Sequence, residues 1–499
     1  MSNMDRKRVL LTTPPYHCGV VESAGRWPNL GFIYIAGEVR KAGFEAIIYD
    51  AMSKYHDYPE IEARLKEVQP DFVGSTAYTA TINDAIKVLG LAKRLNPEVI
   101  TLLGGVHPTF CYEDVLKENH GKIDFCILGE GEITMPQLLT AVTGGGNVAQ
   151  VKGIAYLHNG QVVKTDDRPF ITDLDSLTPA WDLIDWNDYP LYFLKDSHVA
   201  IVSSSRGCIN KCAFCSQHKF WKGTYRERNP ENFTADIEHL YTEYGVNVFF
   251  IADEYPTKNK ERWERILDIL IEKNLGVYLL IETCVRDIIR DKDIMWKYKK
   301  AGILFIYIGV EATNKERLDL FKKDIKFKES REAIRIINEA GMISESSLIL
   351  GMPDETKETI RETFQLALEY GSDFMHFLMI APWPYADMYK DLEPYIEEKD
   401  YSKYNLVEPI IRPKSMTRAE LFKEVLNCYK NYYMKKLPEW YRMNGNELKR
   451  QCLLSGMKAI VENSFLKNHM SAMGKMPRTI ERYLKMLNVN SEFGRNRDR

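Results

Sequence analysis

The chain has 499 residues, of which 45% are hydrophobic and 27% are charged, and its formal net charge is −3. These values are ordinary for a folded globular protein and exclude a collagen-like or low-complexity chain. At about 100–200 residues per domain, the length predicts two to four domains. The small net charge gives no general attraction to nucleic acid. No apolar run approaches the roughly 20 residues that a membrane span requires.

The nine cysteines are odd in number and mostly scattered along the chain. A secreted chain would more often pair its cysteines, so we expect a reducing, cytoplasmic location. We interpret the first apolar stretch, "RVLLTTPP", as a strand and not as a signal peptide. Cys111 and Cys126 fit as small core residues. Cys208, Cys212 and Cys215 lie close together and need another explanation.

Residues 1–150 alternate short apolar runs with helical patterns. Five apolar runs, beginning with "RVLLT" and ending with "FCILG", predict buried parallel strands, and the segments between them predict helices on both faces of the sheet. This order is typical of a flavodoxin-like (Rossmann) α/β domain, whose ligand lies at the carboxyl ends of the strands. We therefore place a ligand-binding domain at residues 1–150.

The rhythm changes after residue 150. Residues 151–195 predict a linker with a hairpin that turns at Asn159–Gly160. Residues 196–395 hold six further strand and helix units. Because a closed barrel needs eight such units, we expect a partial (β/α)6 barrel here. Residues 396–499 show helical, aromatic-rich patterns and predict a C-terminal helical domain.

The three cysteines follow the first barrel strand with C-x3-C-x2-C spacing, in "RGCINKCAFCSQHKFW". Structural zinc sites have four protein ligands, and iron–sulfur cubanes usually have four thiolates. No fourth cysteine is near in sequence, and Cys284 is the remote candidate. A cubane held by three thiolates keeps one iron open for a small chelating ligand. The alternative is a degenerate zinc knuckle.

This cysteine pattern, with Phe214 before its third cysteine, resembles the signature of the radical S-adenosylmethionine (SAM) superfamily. The resemblance implies that Cys208, Cys212 and Cys215 hold a [4Fe–4S] cluster whose open iron binds the amine and carboxylate of SAM. It also implies SAM-binding residues at later strand ends, which are Asp253, Glu254, Glu311 and Gly351. In such enzymes the cofactors carry the radical chemistry, while the protein binds them and excludes water.

The first domain has neither a dinucleotide-binding glycine motif nor a P-loop after its first strand. Instead, "STAYT", "LLGGVHPT" and "GEGE" follow its third, fourth and fifth strands and resemble the cobalamin-binding domain of cobalamin-dependent radical SAM enzymes. His17 lies after the first strand, but Pro15 stands where the usual cobalt-ligating motif has Asp, so we assign no cobalt ligand to His17. The resemblance implies a cobalamin site formed by Thr76, Thr79, Gly104, Gly105, His107, Glu130, Gly131 and Glu132.

Longer stretches, among them "CAFCSQHKFW", "ADEYPT" and "APWPYADMYKDL", resemble the family of anaerobic magnesium-protoporphyrin IX monomethyl ester oxidative cyclases. Close relatives of that family include C-methyltransferases that modify a glutamine of methyl-coenzyme M reductase. We favour methyl transfer, in which a 5′-deoxyadenosyl radical removes hydrogen from an sp3 carbon and methylcobalamin donates the methyl group. The alternative is oxidative cyclisation of the porphyrin. A cobalamin sensor without catalysis is a third hypothesis.

The resemblance further implies a protein or small-molecule substrate, with methyl-coenzyme M reductase as the suspected protein, and an external one-electron reductant. It implies no nucleic-acid partner. Besides the cysteines, the candidate catalytic residues are Tyr255, Glu282 and Arg286. We assign no acid–base catalyst, because hydrogen abstraction by a radical depends on proximity more than on proton transfer. Further pocket candidates at the strand ends are Tyr307, His376, Trp383 and Tyr385.

Overall fold

The computed structural model describes residues 6–19, 23–469, 482–483 and 485–487. The chain forms two compact units. Unit 1 holds the described residues of 1–17, together with 28–188 and 400–402, and unit 2 holds those of 18–27, 189–399 and 403 onwards. Within the predicted C-terminal domain, residues 470–481, 484 and 488–499 lie outside the described residues. The predicted boundaries at residues 150, 195 and 395 stay predictions.

Unit 1 is built on a seven-stranded sheet ordered β2-β1-β3-β4-β5-β6-β7. The first five strands are parallel, which confirms the flavodoxin-like prediction. The predicted hairpin forms β6 and β7 and pairs antiparallel with β5, so it extends the same sheet. The strands are β1 (Arg8–Thr12), β2 (Glu45–Tyr49), β3 (Phe72–Thr76), β4 (Ile100–Gly104), β5 (Phe125–Ile127), β6 (Ile154–His158) and β7 (Gln161–Lys164).

Helices cover both faces of this sheet. Successive strand residues enter opposite apolar layers: Leu10 and Val73 lie in one cluster, and Val9 and Phe72 lie in the other. Strands buried on both faces need continuous apolar runs, which is why these segments do not alternate with polar residues. The helices are α1 (Leu30–Lys41), α2 (Ala51–Lys54), α3 (Tyr58–Val68), α4 (Ile82–Leu95), α5 (Val106–Glu118) and α6 (Gly131–Thr143).

Unit 2 is built on a six-stranded parallel sheet in which each strand neighbours the next along the chain, with a separate two-stranded ladder beside it. This arrangement confirms the partial (β/α)6 barrel. The six strands are β8 (Val199–Val202), β11 (Val248–Ile251), β12 (Tyr278–Thr283), β13 (Ile303–Glu311), β14 (Ile343–Leu350) and β15 (Phe374–Met379), and the ladder is formed by β9 (Ser205–Arg206) and β10 (Arg226–Glu227).

The helices of unit 2 alternate with these strands and continue into a helical C-terminal region. None of the described helices is long and apolar enough to cross a membrane. The helices are α7 (Gln217–Phe220), α8 (Pro230–Tyr244), α9 (Lys260–Lys273), α10 (Val285–Arg290), α11 (Met295–Lys300), α12 (Lys315–Leu320), α13 (Phe327–Glu339), α14 (Lys357–Tyr370), α15 (Tyr389–Leu392), α16 (Arg418–Tyr441), α17 (Glu447–Asn463) and α18 (Leu466–His469).

The two faces of the six-stranded sheet differ in exposure. One face is buried, as at Phe249, Ile281 and Ile308. The other face, which we call the inner face, holds most of the partly exposed strand residues. Its residues share that face because they stand at paired or alternate register positions. The inner face carries Ile201, Phe250, Leu280, Glu282, Tyr307, Glu345, Ser347 and His376.

Helix α16 covers the edge strand β15 with tyrosines. The hydroxyl of Tyr429 accepts the backbone N–H of Phe377 at 3.0 Å, and the hydroxyl of Tyr433 donates to the backbone carbonyl of Met375 at 3.2 Å. These bonds satisfy backbone groups that an edge strand would otherwise leave open. The tyrosines of the C-terminal region therefore cover one edge of the sheet of unit 2.

Gly37, inside α1, gives a test of the packing of unit 1. A Cβ atom added at Gly37 would lie 1.7 Å from the carbonyl oxygen of Thr178. We expect Gly37→Ala to lower the free energy of unfolding by about 1–3 kcal/mol, although alanine favours helices, because the backbones must separate. Thermal unfolding measures this.

Gly90→Ala, inside α4, is the matched control because its Cβ would meet only the Lys122 side chain, at 3.4 Å. This variant should be as stable as the parent chain or more so. Equal effects of the two substitutions would contradict the packing.

Candidate active site

The three cysteines lie on a loop that begins where β9 ends. The ladder pairs Arg206 with Arg226 and Ser205 with Glu227, so it closes the base of the loop. Gly207 opens the loop with φ of +107°, and a Cβ there would lie 2.1 Å from the carbonyl oxygen of Thr224. Only glycine fits this conformation and this close approach.

The middle of the loop is fixed through Ala213, which stands between Cys212 and Cys215. Its N–H donates to the carbonyl of Phe321 at 3.0 Å, and its own carbonyl accepts the N–H of Met388 at 3.2 Å. Phe214 packs edge-on against Phe321, with ring centroids 5.4 Å apart. Two separate segments of unit 2 therefore hold the cysteine loop in place.

Burial raises the pKa of the thiols of Cys208, Cys212 and Cys215, that of Cys215 to about 12. Thiols in such surroundings become thiolates only next to a compensating positive charge, as an iron site provides. The three thiols stand on one loop, as a cubane that keeps one iron open for a chelating ligand requires. The loop thus fits the [4Fe–4S] cluster.

The remote candidate, Cys284, follows β12 and lies close to the loop. The side-chain amide of Asn210 donates to its sulfur at 3.5 Å. Burial raises the pKa of the Cys284 thiol to about 11, and Cys208 contributes to that rise. Tertiary structure therefore brings a fourth thiol beside the three-cysteine loop.

Asp253 and Glu254, at the end of β11, lie beside the start of the loop but have different surroundings. Asp253 is buried, and its carboxylate accepts the N–H of Ser204 at 2.8 Å and the hydroxyls of Ser204 and Ser205 at 2.6 and 2.7 Å. Glu254 accepts the N–H of Gly207 at 3.2 Å and the indole N–H of Trp221 at 2.7 Å. Both carboxylates stabilise the loop entry, and their predicted contact with SAM stays a prediction.

Glu311, at the end of β13, forms an ion pair with Lys323, whose ammonium lies 2.9 Å from its carboxylate. Glu311 has a left-handed backbone conformation with φ of 58°. A Cβ at Gly309 would lie 2.1 Å from the Glu311 carboxylate oxygen and 3.1 Å from the Lys323 nitrogen, so the pair crosses the sheet above this glycine. Sequence analysis predicted Glu311 but missed Lys323.

The polar part of the inner face lies on β12 to β15. His376 bonds Glu345 through its Nε2 atom at 2.5 Å, and the hydroxyls of Tyr307 and Ser347 are 2.5 Å apart. Glu282 is exposed on this face and has no hydrogen bond or ion pair among the described residues. Loss of hydration is the largest cause that raises the pKa of Glu282 to about 7, and the carboxylates of Glu345, Glu254 and Glu311 add to it.

The remaining predicted residues of unit 2 make contacts with other residues than these polar groups. The phenol of Tyr255 donates to Asp287 at 3.1 Å beside Cys284. Arg286 is half exposed and pairs with Asp324, so its contacts give no support for a catalytic role. Gly351, with φ of 90°, follows β14, and its N–H donates to Glu355 at 3.3 Å. Trp383 and Tyr385 stack with ring centroids 6.4 Å apart.

In unit 1, the predicted cobalamin residues meet at the carboxyl ends of β3, β4 and β5. His107 is buried, its Nδ1 atom lies 3.1 Å from the Thr79 hydroxyl, and burial lowers its pKa to about 4. Gly105 has φ of +101° and leaves no room for a Cβ beside Ala77 and Thr76. At Gly104 a Cβ would meet only the Ile127 carbonyl, at 4.0 Å. This open approach to backbone fits a bulky ligand such as cobalamin.

The predicted residues before and within α6 also have structural roles. Glu130 accepts the backbone N–H of Ile171 at 2.8 Å. A Cβ at Gly131 would lie 2.9 Å from the side chain of Ile35, so this glycine allows α1 and α6 to approach. Glu132 is buried in the first turn of α6. Contact of these three residues with cobalamin stays a prediction. That His17 does not ligate cobalt also stays a prediction; its ring stacks on Tyr55.

Removal of one cluster thiol tests the cysteine loop. We expect Cys212→Ala to lose most of the iron, sulfide and visible absorbance of the anaerobically reconstituted protein, since two thiolates do not retain a cubane. Cys284→Ala is the control and should keep all three signals. Cluster loss in Cys284→Ala would instead indicate a four-thiolate cage.

Known proteins share both units. The family model described as B12 binding domain matches residues 16–139, and the one described as radical SAM superfamily matches residues 202–367. One solved structure is that of the cobalamin-dependent S-adenosylmethionine radical enzyme OxsB with aqua-cobalamin and SAM bound. It superposes on this chain with a TM-score of 0.70 at 15% identity, and the match covers 98% of this chain and 76% of the OxsB chain. At that identity the likeness concerns the fold.

The anaerobic magnesium-protoporphyrin IX monomethyl ester cyclases of Cereibacter sphaeroides and Rubrivivax gelatinosus are 38% and 37% identical to this chain. The matches cover 91% and 92% of this chain and 75% and 83% of the two cyclases. The hopanoid C-3 methylase of Methylococcus capsulatus is 26% identical, over 83% of this chain and 78% of the methylase. The chain therefore belongs to the cobalamin-dependent radical SAM enzymes, in the family of these cyclases, and its cofactors are a [4Fe–4S] cluster, SAM and cobalamin.

Proposed function

We propose that this enzyme is a C-methyltransferase that acts on an sp3 carbon close to an amide or amine. When bound, the cluster and SAM supply a radical that removes a hydrogen atom from the substrate, and cobalamin supplies the methyl group that replaces it. The chain itself binds and orients the substrate. The observation that carries the proposal is the charge of the inner face in unit 2.

The carboxylate of Glu282 on this face is acted on by three others, those of Glu345, Glu254 and Glu311. Lys323 pairs with Glu311 and His376 with Glu345, but Glu282 has no partner among the described residues. An acceptor of this kind favours a substrate group that donates hydrogen bonds or carries positive charge. Amide and amine N–H groups have this property.

The same charge opposes a porphyrin monomethyl ester, which keeps one free carboxylate. Placing that carboxylate among the carboxylates of the inner face would cost several kcal/mol. The methylase among the relatives also supports methyl transfer. That a glutamine of methyl-coenzyme M reductase is the substrate stays a prediction, and a glutamine-containing peptide is the probe that tests it.

Oxidative cyclisation is the second candidate, and the cyclase relatives at 37–38% identity favour it. That reaction adds an oxygen from water and releases protons. Glu282, with a pKa of about 7, is suited to accept a proton at neutral pH. Glu282 therefore has a proposed role in either reaction, and identification of the product distinguishes the two reactions.

Anaerobic turnover with methyl-labelled SAM distinguishes the two reactions. The reconstituted enzyme is incubated with a reductant and with either a glutamine peptide or the magnesium porphyrin monomethyl ester in heavy-oxygen water. We expect label in a carbon-bound methyl group of the peptide, detected by mass spectrometry. Cys212→Ala is the control and should give neither product.

Gain of heavy oxygen with loss of hydrogen from the porphyrin, and no peptide methylation, would replace the proposal with cyclisation. Turnover of SAM with neither substrate modified would exclude glutamine and this porphyrin as substrates, and would reject the amide version of the proposal.

The raised pKa of Glu282 predicts a pH-dependent stability effect. A carboxyl whose pKa rises on folding costs stability once it ionises, so the cost grows between about pH 4.5 and pH 7 and persists above. Glu282→Gln should therefore raise the unfolding temperature more at about pH 8 than at about pH 5. Because the side chain is exposed, we expect a shift of only a few degrees.

Glu345→Gln is the comparison on the same face. It removes the partner of His376, so it should lower the unfolding temperature and not raise it. A gain from Glu282→Gln that does not change with pH would show that the carboxyl ionises normally.

A further inference from the structure

The segment that carries the cysteine loop is strongly basic, although the whole chain has a formal net charge of −3. Residues 206–226 contain five Lys or Arg residues and no Asp or Glu. Residues 315–328 contain six Lys or Arg residues and three Asp or Glu residues. The hydrogen bond from the N–H of Ala213 to the carbonyl of Phe321 joins the two segments, so their positive charges gather in one part of unit 2.

Three lysines of these segments lie around His218. Burial is the largest cause that lowers the pKa of His218, and the charges of Lys219, Lys322 and Lys211 lower it further. Lys211 and Lys322 are exposed, and so is Lys222, whose N–H donates to the carbonyl of Lys219 at 3.2 Å. We call the surface formed by these four lysines and His218 the basic face.

One carboxylate, that of Asp387, is shared by several cations of the basic face. It lies 2.8 Å from the ammonium of Lys219, 3.1 Å from that of Lys322 and 3.8 Å from the Nε2 atom of His218. Hydrogen bonds from the two lysines hold the pKa of Asp387 below its usual range, so it stays ionised. Lys211 has no ion-pair partner in the described part of the chain. The basic face therefore keeps a surplus of positive charge.

Two large apolar side chains are exposed beside these charges. Ile209, which follows Cys208, is 46% exposed, and Leu320, which precedes Phe321, is 47% exposed. Apolar side chains with charged groups around them are typical of surfaces that bind a protein. Electrostatic complementarity then favours a protein with an acidic surface.

The enzymes of this family need an external reductant. We propose that the basic face is the docking surface for a small acidic protein that carries one electron. In the transfer, the carrier is oxidised by one electron and the cluster is reduced by one, and no bond forms or breaks. Electron transfer becomes slower with distance, and this face adjoins the cluster because Lys211 stands next to Cys212. The proposal rests on the family of the enzyme and not on methyl transfer.

Charge reversal tests the proposal, with an acidic plant-type [2Fe–2S] ferredoxin as the probe. The test variant is Lys211→Glu with Lys222→Glu, and the control variant is Lys195→Glu with Lys300→Glu, which changes the net charge equally. Lys195 and Lys300 are exposed lysines of unit 2 that stand just before β8 and β13, at the opposite strand ends from the cysteine loop.

Two measurements are made anaerobically on the full-length, cluster-loaded enzyme. Calorimetric titration gives the affinity for oxidised ferredoxin, and stopped-flow absorbance gives the rate at which reduced ferredoxin reduces the cluster. Reduced methyl viologen, a small reductant that needs no docking surface, is the comparison for the rate.

We expect the test variant to bind ferredoxin about 10-fold more weakly than the parent enzyme at low salt, and its cluster to be reduced about 10-fold more slowly, because attraction between opposite charges speeds encounter. Added salt should narrow the difference, since it screens exposed charges. The control variant should behave as the parent enzyme does. Reduced methyl viologen should reduce the clusters of all three proteins at similar rates.

Equal losses in the test and control variants would overturn the proposal, because only the net charge of the chain would then matter. Unchanged binding and reduction in the test variant would overturn it as well, and so would an equal slowing with methyl viologen. If the substitution at Lys211 lowers the iron content, Lys222→Glu with Lys322→Gln provides the same comparison. Normal reduction of that variant by ferredoxin would reject the basic face as the docking surface.

Discussion

The hydrogen bond from the N–H of Ala213 to the carbonyl of Phe321 holds together the parts of the active site in unit 2. It fixes the middle of the cysteine loop, between Cys212 and Cys215, to a segment more than one hundred positions later in the sequence. The same segment continues into Lys323. The three thiols and the cation beside them therefore share one anchoring interaction.

On and beside the inner face of unit 2, carboxylates outnumber the cations that pair with them. Carboxylates gather there, and repulsion among them makes an unpaired carboxylate costly. Lys323 pairs with Glu311, and His376 pairs with Glu345. Glu282 has no such partner among the residues that the structure describes. A protein that maximised stability would remove such a group, so its retention fits a role in binding or chemistry. This imbalance is the observation on which the proposal of methyl transfer rests.

Several elements of the fold were predictable because their signals are local. The doubly buried strands of unit 1 are continuous apolar runs, and the six strands of unit 2 recur between charged helical segments. The spacing of Cys208, Cys212 and Cys215 pointed to a cluster for the same reason, since three thiols on one short loop cannot be far apart. Lys323 and Glu345 escaped prediction because each lies in a segment that looks like an ordinary charged helix or strand.

The sequence by itself therefore determined the class of fold and the cysteine loop, because periodicity and short spacing depend on neighbouring residues, while the resemblance of its motifs to known families implied the cofactors. Tertiary structure decided which polar groups meet. Arg286 forms an ion pair with Asp324, and Lys323 forms one with Glu311. Asp253 accepts hydrogen bonds from the serines at the loop entry, and Cys284 accepts one from Asn210. Such pairings depend on the register of distant strands and on the turns that follow them, and no local pattern of residues encodes those distances.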